Sequence, residues 1–240
     1  MLAHMVRHNE WGQAIGPELP GFIVPPPPPR APMQGDYVEL EPLDPERHAP
    51  SLWAALEPLL PSHWTYLPYG PFASYADFRA WLAHECTHDD PLFVAVVDRP
   101  TRDVIGLASY LRIQRAAACI EVGHLNFSAR LARRPGATEA MAVMMRRAFE
   151  LGYRRYEWKC DALNGPSRAA ALRLGFQFEG LFRQATLYKG RSRDTAWYSV
   201  IDREWPGLDR AYRAWLAPDN FDAEGKQRSR LTELIQRERR

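Results

Sequence analysis

The succession of periodic segments constrains this chain more than any other feature. Between residues 36 and 205 the pattern reads strand, two helices, three strands, helix, strand, helix, two strands. Residues 37–41 alternate apolar and polar side chains, and Asp44-Pro45 then opens a helix with Asp at the cap and Pro in the first turn. Ser74 caps a second helix running to about residue 87, with Phe78, Trp81 and Leu82 inward. Residues 92–98 and 104–113 read as a hairpin, and 118–127 as a third strand. A helix over 137–151 ends at Gly152, a strand follows over 153–161, and a helix over 164–174 is stopped by Gly175. Two last strands, from 176 and over 194–202, flank a turn at 189–191. Hairpins mixed with βαβ crossovers specify an α+β, three-layer fold, a mixed sheet with helices on both faces. Doubly wound nucleotide folds alternate more regularly, and neither GxGxxG nor GxxxxGK[ST] occurs.

Two extensions flank this body. Residues 1–35 are Pro-rich, with an unbroken proline run at 25–29 that favours polyproline II and cannot pair in a sheet. We expect a stiff arm lying over the domain or a partner subunit rather than an SH3-type ligand. Residues 206–240 are polar and partly helical.

Composition removes several classes of function. With 31 basic against 29 acidic residues the net charge is +2, which gives no argument for nucleic acid or a membrane surface. Cys86, Cys119 and Cys160 are widely spaced and odd in number, so free thiols in a reducing, cytoplasmic setting are expected, with no metal site. No apolar run approaches the roughly 20 residues that span a bilayer.

Chemistry concentrates in residues 121–140. A strand runs into a loop carrying Arg130, Arg133, Arg134 and Gly136, and the loop feeds a helix. Orphan amides at the helix start, its dipole and nearby guanidiniums make a place for a diphosphate, with Gly136 letting the main chain approach the oxygens. A plain capped helix with solvated arginines is the alternative.

Arg133-Arg-Pro-Gly136-Ala-Thr138 resembles the (Gln/Arg)-x-x-Gly-x-(Gly/Ala) motif of the GNAT (GCN5-related N-acetyltransferase) superfamily, departing where Thr138 replaces a small residue. Downstream, Asn164-Gly-Pro-Ser167 and Gly175-Phe176 followed by Glu179-Gly180 are similar to a second segment of that family. Thr138-Glu-Ala-Met141, and then Arg183, Gly190, Arg193-Asp194 and Tyr198-Ser199, look like its RimJ/RimL branch. The resemblance covers residues 36–205.

That resemblance implies a mostly antiparallel sheet with one splayed parallel strand pair, whose gap takes the pantetheine arm of acetyl-CoA. Leu125, Asn126 and Phe127 would offer main-chain bonds to the arm. Arg133, Arg134, Gly136, Ala137 and Thr138 would hold the diphosphate, and Asn164 and Ser167 would touch the arm near its sulfur. The reaction implied is direct acetyl transfer to a primary amine of a protein N-terminus, an amino acid or a small molecule. Ser167 is the candidate donor to the departing thiolate and Glu121 the candidate base. His124, Asp194 and Tyr198 are alternative bases, and some relatives carry an acid where Thr186 stands. Cys160 as a covalent nucleophile is disfavoured because the family transfers directly. Trp64, Tyr66, Leu67, Tyr69 and Phe72 would line the acceptor side. A non-catalytic acyl-CoA-binding module is the competing reading, and a homodimer is compatible with either.

Overall fold

The computed structural model describes residues 7–240. A short ladder of β1 (Arg7–His8) and β2 (Ala14–Ile15) precedes one eight-stranded sheet. Its strands are β3 (Met33–Gln34), β4 (Val38–Pro42), β5 (Leu92–Asp98), β6 (Val104–Gln114), β7 (Cys119–Phe127), β8 (Arg155–Asp161), β9 (Gln177–Tyr188) and β10 (Arg191–Ile201). They lie in chain order except at the far edge, where β10 sits between β8 and β9. Only β7 and β8 run parallel; every other neighbouring pair is antiparallel.

Strand β5 explains the layering. Its run Leu-Phe-Val-Ala-Val-Val is buried on both faces, as a central strand covered on two sides must be. Phe93, Ala95 and Val97 pack with α1 (Pro45–Leu56) and α2 (Tyr75–Glu85), through Leu52, Leu56, Phe78 and Leu82. Val94 and Val96 point the other way, into the larger core under α3 (Pro135–Glu150), α4 (Gly165–Arg173), α5 (Trp205–Leu216) and α6 (Leu231–Glu238). Caps fix three of the helices: Asp44 accepts the amides of Glu46 and Arg47, Ser74 that of Asp77, and Asn164 that of Ser167. Each such cap contributes about 1 kcal/mol.

Three features depart from, or add to, what the sequence suggested. Helix α3 starts at Pro135, so Gly136 lies in its first turn and not in the loop. The polar C-terminal stretch hides an amphipathic stripe: Leu208, Ala211, Tyr212 and Trp215 of α5 and Leu231 and Ile235 of α6 are buried in the main core. Glu139, inside α3, is 4% exposed and accepts the amides of Asp36, Tyr37 and Val38 at 2.7, 2.7 and 2.8 Å, which ties the start of β4 to the helix. The proline arm lies on its own chain, where the Pro25 carbonyl accepts from Arg115 Nε at 2.8 Å and that of Pro26 from the Tyr153 hydroxyl at 3.1 Å. Among the described residues no helix is long and apolar enough to cross a membrane.

Candidate active site

The parallel pair comes apart. Strands β7 and β8 pair from Cys119↔Arg155 to Val122↔Trp158 and no further. Beyond that point Lys159 to Asp161 pair only with β10, and Gly123, Asn126 and Phe127 only with β6. The parting coincides with a bulge. Leu107 is level with Asn126 but Ser109 with Gly123, so β7 carries one extra residue, and His124 takes φ of +52°. Backbone groups of β7 that face the gap have lost their ladder partners and stand ready for an extended ligand to replace them. A cavity of about 970 Å³ occupies the split, walled by Leu125 and Phe127 on one side and by Lys159, Cys160 and Asp161 on the other.

At one end the cavity meets the start of α3. Ser128 accepts the amides of Leu131 and Ala132, Leu131 accepts that of Arg134, and Arg134 accepts that of Ala137. The amides of Arg133 and Gly136 have no acceptor among the described residues. Arg133 is left-handed, with φ of +62°, which turns the chain tightly into the helix. Arg133, Arg134, Ala137 and Thr138 line the cavity. Neither Arg133 nor Arg134 meets a carboxylate among the described residues, whereas Arg130 is committed outward to Asp103 at 2.7 Å. The free Arg133 amide, the dipole of α3 and two unpaired guanidiniums fit the diphosphate of a coenzyme A thioester.

Gly136 serves a different purpose from the one expected. It is buried and does not line the cavity; a Cβ there would stand 2.8 Å from Val38 Cγ1. Its smallness lets α3 close onto β4. Asn126 also lies away from the gap as a side chain, fully buried and hydrogen-bonded to His63 Nε2.

Near the middle, Ser167 stands at the start of α4, across the split from the bulge. Its Oγ accepts the Trp158 indole N–H at 3.1 Å, and its hydroxyl, which also reaches the Cys160 thiol, lines the cavity as a donor. Asn164 lines the same wall. Cys160 is 6% exposed, and burial pushes its thiol above the usual range, so it is a poor nucleophile here.

The opposite end is built from side chains. Glu121 is 2% exposed, with Arg112 Nη1 at 2.6 Å and Lys159 Nζ at 2.9 Å. Burial raises its carboxyl from the ordinary value, and the two cations offset only part of that. Lys159 also meets Glu157 at 2.8 Å and sits 3.7 Å over the Trp197 ring. His124, on the bulge, is driven down to about 4 by burial and by the charge of Arg112, so its imidazole is neutral at pH 7. Tyr66 lines the cavity and its hydroxyl donates to the Leu163 carbonyl at 3.1 Å; Leu67 lines it beside Tyr66. Trp64, Tyr69 and Phe72 do not line it. They plug the second core, with Trp64 5.6 Å from Phe72 and Tyr69 4.2 Å from Trp81 between ring centres. Asp194 accepts the Gln184 amide within the last hairpin, and the buried Tyr198 hydroxyl accepts from Arg168 Nε.

Several wall residues escaped the sequence reading, namely His63, Arg112, Lys159, Arg173 and Lys226, and Arg193, legible there only as part of a branch segment, joins them. Each owes its place to contacts across the fold. Together with Arg133 and Arg134 they make the wall strongly cationic, against only Glu121 and Asp161, in a chain whose net charge is +2. Among the described residues no group of His, Cys, Asp and Glu is disposed to hold a metal ion.

A split parallel pair, an anion cradle at a helix start and a cationic cleft define an acyl-CoA-dependent transferase. The family model for the acetyltransferase (GNAT) domain matches residues 38–177, and the chain belongs to this family. A GCN5-related N-acetyltransferase from Brucella melitensis is 46% identical, with a TM-score of 0.88 over 91% of this chain and 100% of its own. A probable acetyltransferase of the same family from Chromobacterium violaceum is 42% identical, with a TM-score of 0.76 over 80% and 96%. The microcin C7 self-immunity acetyltransferase MccE, solved with acetyl-CoA and AMP, shares the fold at 20% identity and a TM-score of 0.58, over 70% and 93%. No curated protein matches the chain significantly. The protein is an acyl-CoA-dependent acetyltransferase.

Proposed function

We propose that this enzyme moves an acetyl group from acetyl-CoA to a primary amine, on a protein N-terminus, an amino acid or a small molecule, in the manner of the RimJ/RimL branch. The observation that carries the reading is the parted β7–β8 pair opening beside the turn that leads into α3, in one continuous cavity with Arg133 and Arg134. The branch is supported by the Thr138-Glu-Ala-Met141 and Arg193-Asp194 segments. A cytoplasmic setting agrees with three unpaired cysteines, two of them buried.

Bound acetyl-CoA supplies the acetyl group as a thioester. Main-chain groups of Leu125 and Phe127 would pair with the pantetheine arm, while the Arg133 amide and the Arg133 and Arg134 guanidiniums, at the turn into α3, would hold the diphosphate. Thr138, at 3% exposure, accepts from Arg173 Nη1 at 3.1 Å and so fixes that guanidinium at the edge of the cradle. The acceptor amine must be neutral to attack. Glu121, raised by burial, takes its proton through water, and Arg112 and Lys159 stabilise the carboxylate once it has released that proton onward. A backbone amide at the bulge donates to the tetrahedral oxyanion. Ser167 Oγ donates to the sulfur as the C–S bond breaks, so the thiolate departs against a hydrogen bond instead of bare cavity.

Calorimetric titration of acetyl-CoA, together with thiol release across an amine panel, tests the reading. Binding with amine-dependent release is expected, and release equal to the amine-free background across the panel would refute it. Ser167→Ala should lower kcat about tenfold, the size of one lost transition-state hydrogen bond, with acetyl-CoA affinity unchanged.

A further inference from the structure

The C-terminal segment does more than close the core. Beyond the residues of the cradle, the cavity wall includes Arg173 at the end of α4 together with Trp215, Phe221, Lys226 and Gln227. Three of these follow α5, outside the region the family model matches. The architecture there is built. Arg173 is stacked 5.1 Å from the Trp215 ring centre and meets no carboxylate among the described residues. Trp215 Nε1 donates to Gln227 Oε1 at 2.8 Å. Gln227 bridges back to Phe221, and within that small loop Asp222 Oδ1 accepts the Lys226 amide at 2.7 Å. The loop therefore holds Lys226 in the cavity wall beside Gln227, with its ammonium unpaired among the described residues.

We infer that Arg173 and Lys226 form a second anion subsite that receives the phosphate on the nucleotide end of the donor, separate from the diphosphate cradle. This rests on the donor reading above. From the cradle outward the contacts run from Thr138 to Arg173, from Arg173 to Trp215 and from Trp215 to Gln227, the neighbour of Lys226, so two further cations lie past the residues assigned to the diphosphate. The one anionic group left on the donor beyond its diphosphate is the ribose 3′-phosphate. Arg173, fixed by stacking and by Thr138, supplies a preorganised planar donor, and Lys226 supplies a mobile point charge.

The test compares CoA with 3′-dephospho-CoA, which differ only in that phosphate, by calorimetry on the wild-type chain and on Lys226→Ala and Lys226→Glu. Lys226 is exposed, so both variants should fold, which thermal melting checks. Wild type should prefer CoA. Lys226→Ala should weaken CoA about tenfold, the scale of one charge-assisted contact, and leave dephospho-CoA unchanged; Lys226→Glu should weaken CoA further. Equal loss for both ligands, or no loss for either, would overturn the subsite. A wild-type protein that binds neither would instead overturn the donor reading, a distinct result.

Discussion

In the function proposed above, the donor half and the acceptor half of the cavity are made by different means. The donor half is main chain: two parted strands, a bulge and the first turn of α3, with arginines from the same loop beside them. The acceptor half is side chains brought from far apart, with His63 and Tyr66 from one loop, Glu121 and Lys159 from neighbouring strands and Arg193 from the last strand. A site written into backbone geometry tolerates changes of side chain and keeps its ligand class. A site assembled from distant side chains can change its substrate with a few substitutions. The cleft thus pairs a fixed end with an adjustable one.

Five variants break or sharpen that contrast. Trp64→Ala should cost about 3–5 kcal/mol of stability in chemical denaturation, as loss of a buried aromatic does, while Tyr66→Ala should change the KM of the amine and barely move the melting curve. If Trp64→Ala altered the KM at unchanged stability, the aromatic plug would belong to the acceptor site after all. Arg133→Ala with Arg134→Ala should weaken acetyl-CoA about a hundredfold, roughly tenfold for each guanidinium, with melting unaffected. Retained affinity in calorimetry would leave the cradle to the amides alone.

Gly136→Ala separates packing from ligand approach. A methyl group 2.8 Å from Val38 Cγ1 should overpack the α3–β4 contact and cost about 2 kcal/mol, with acetyl-CoA affinity kept in the folded fraction. The smallest effect concerns His124. Its folded pKa of about 4 lies below the ordinary 6.5, so the unfolded chain binds the extra proton between those values. Stability is therefore full above pH 6.5 and falls as the pH drops towards 4. His124→Asn, suited to the left-handed backbone, should remove about 1 kcal/mol of the loss between pH 7 and 5.5. Parallel denaturation curves for the two proteins at both pH values would show that His124 is not held neutral by the fold.

The same contrast explains what could be read from sequence. Strand, basic loop and helix succeed one another within residues 119–150, so the cradle of Arg133, Arg134 and Ala137 was visible as local order. Gly136 was visible but its reason was not, because Val38, which it packs against, lies almost 100 residues away. The loop from Trp64 to Phe72 offered five aromatic or apolar candidates, and nothing local decides which faces water, protein or ligand. Tertiary packing against Trp81 and Phe93 made that choice. Helix α5 is a different case: Leu208, Ala211, Tyr212 and Trp215 recur at helical spacing, so its buried face was legible, and the polar average of the segment concealed it.

The way α5 and α6 finish the main core bears on how this protein can be cut and recombined. The Tyr212 hydroxyl donates to the Leu174 carbonyl at 2.7 Å, and Arg146 is bound to Asp209 at 2.7 Å, so the last helices are bolted to α4 and α3. A chain trimmed to residues 38–177 would keep the cradle and lose the wall behind it, along with the two strands that cover the raw side of β8. Chimeras meant to exchange amine preference between relatives should therefore swap the loop around Tyr66 and the β9–β10 hairpin, and leave the C-terminal helices with the α3 they were selected to fit.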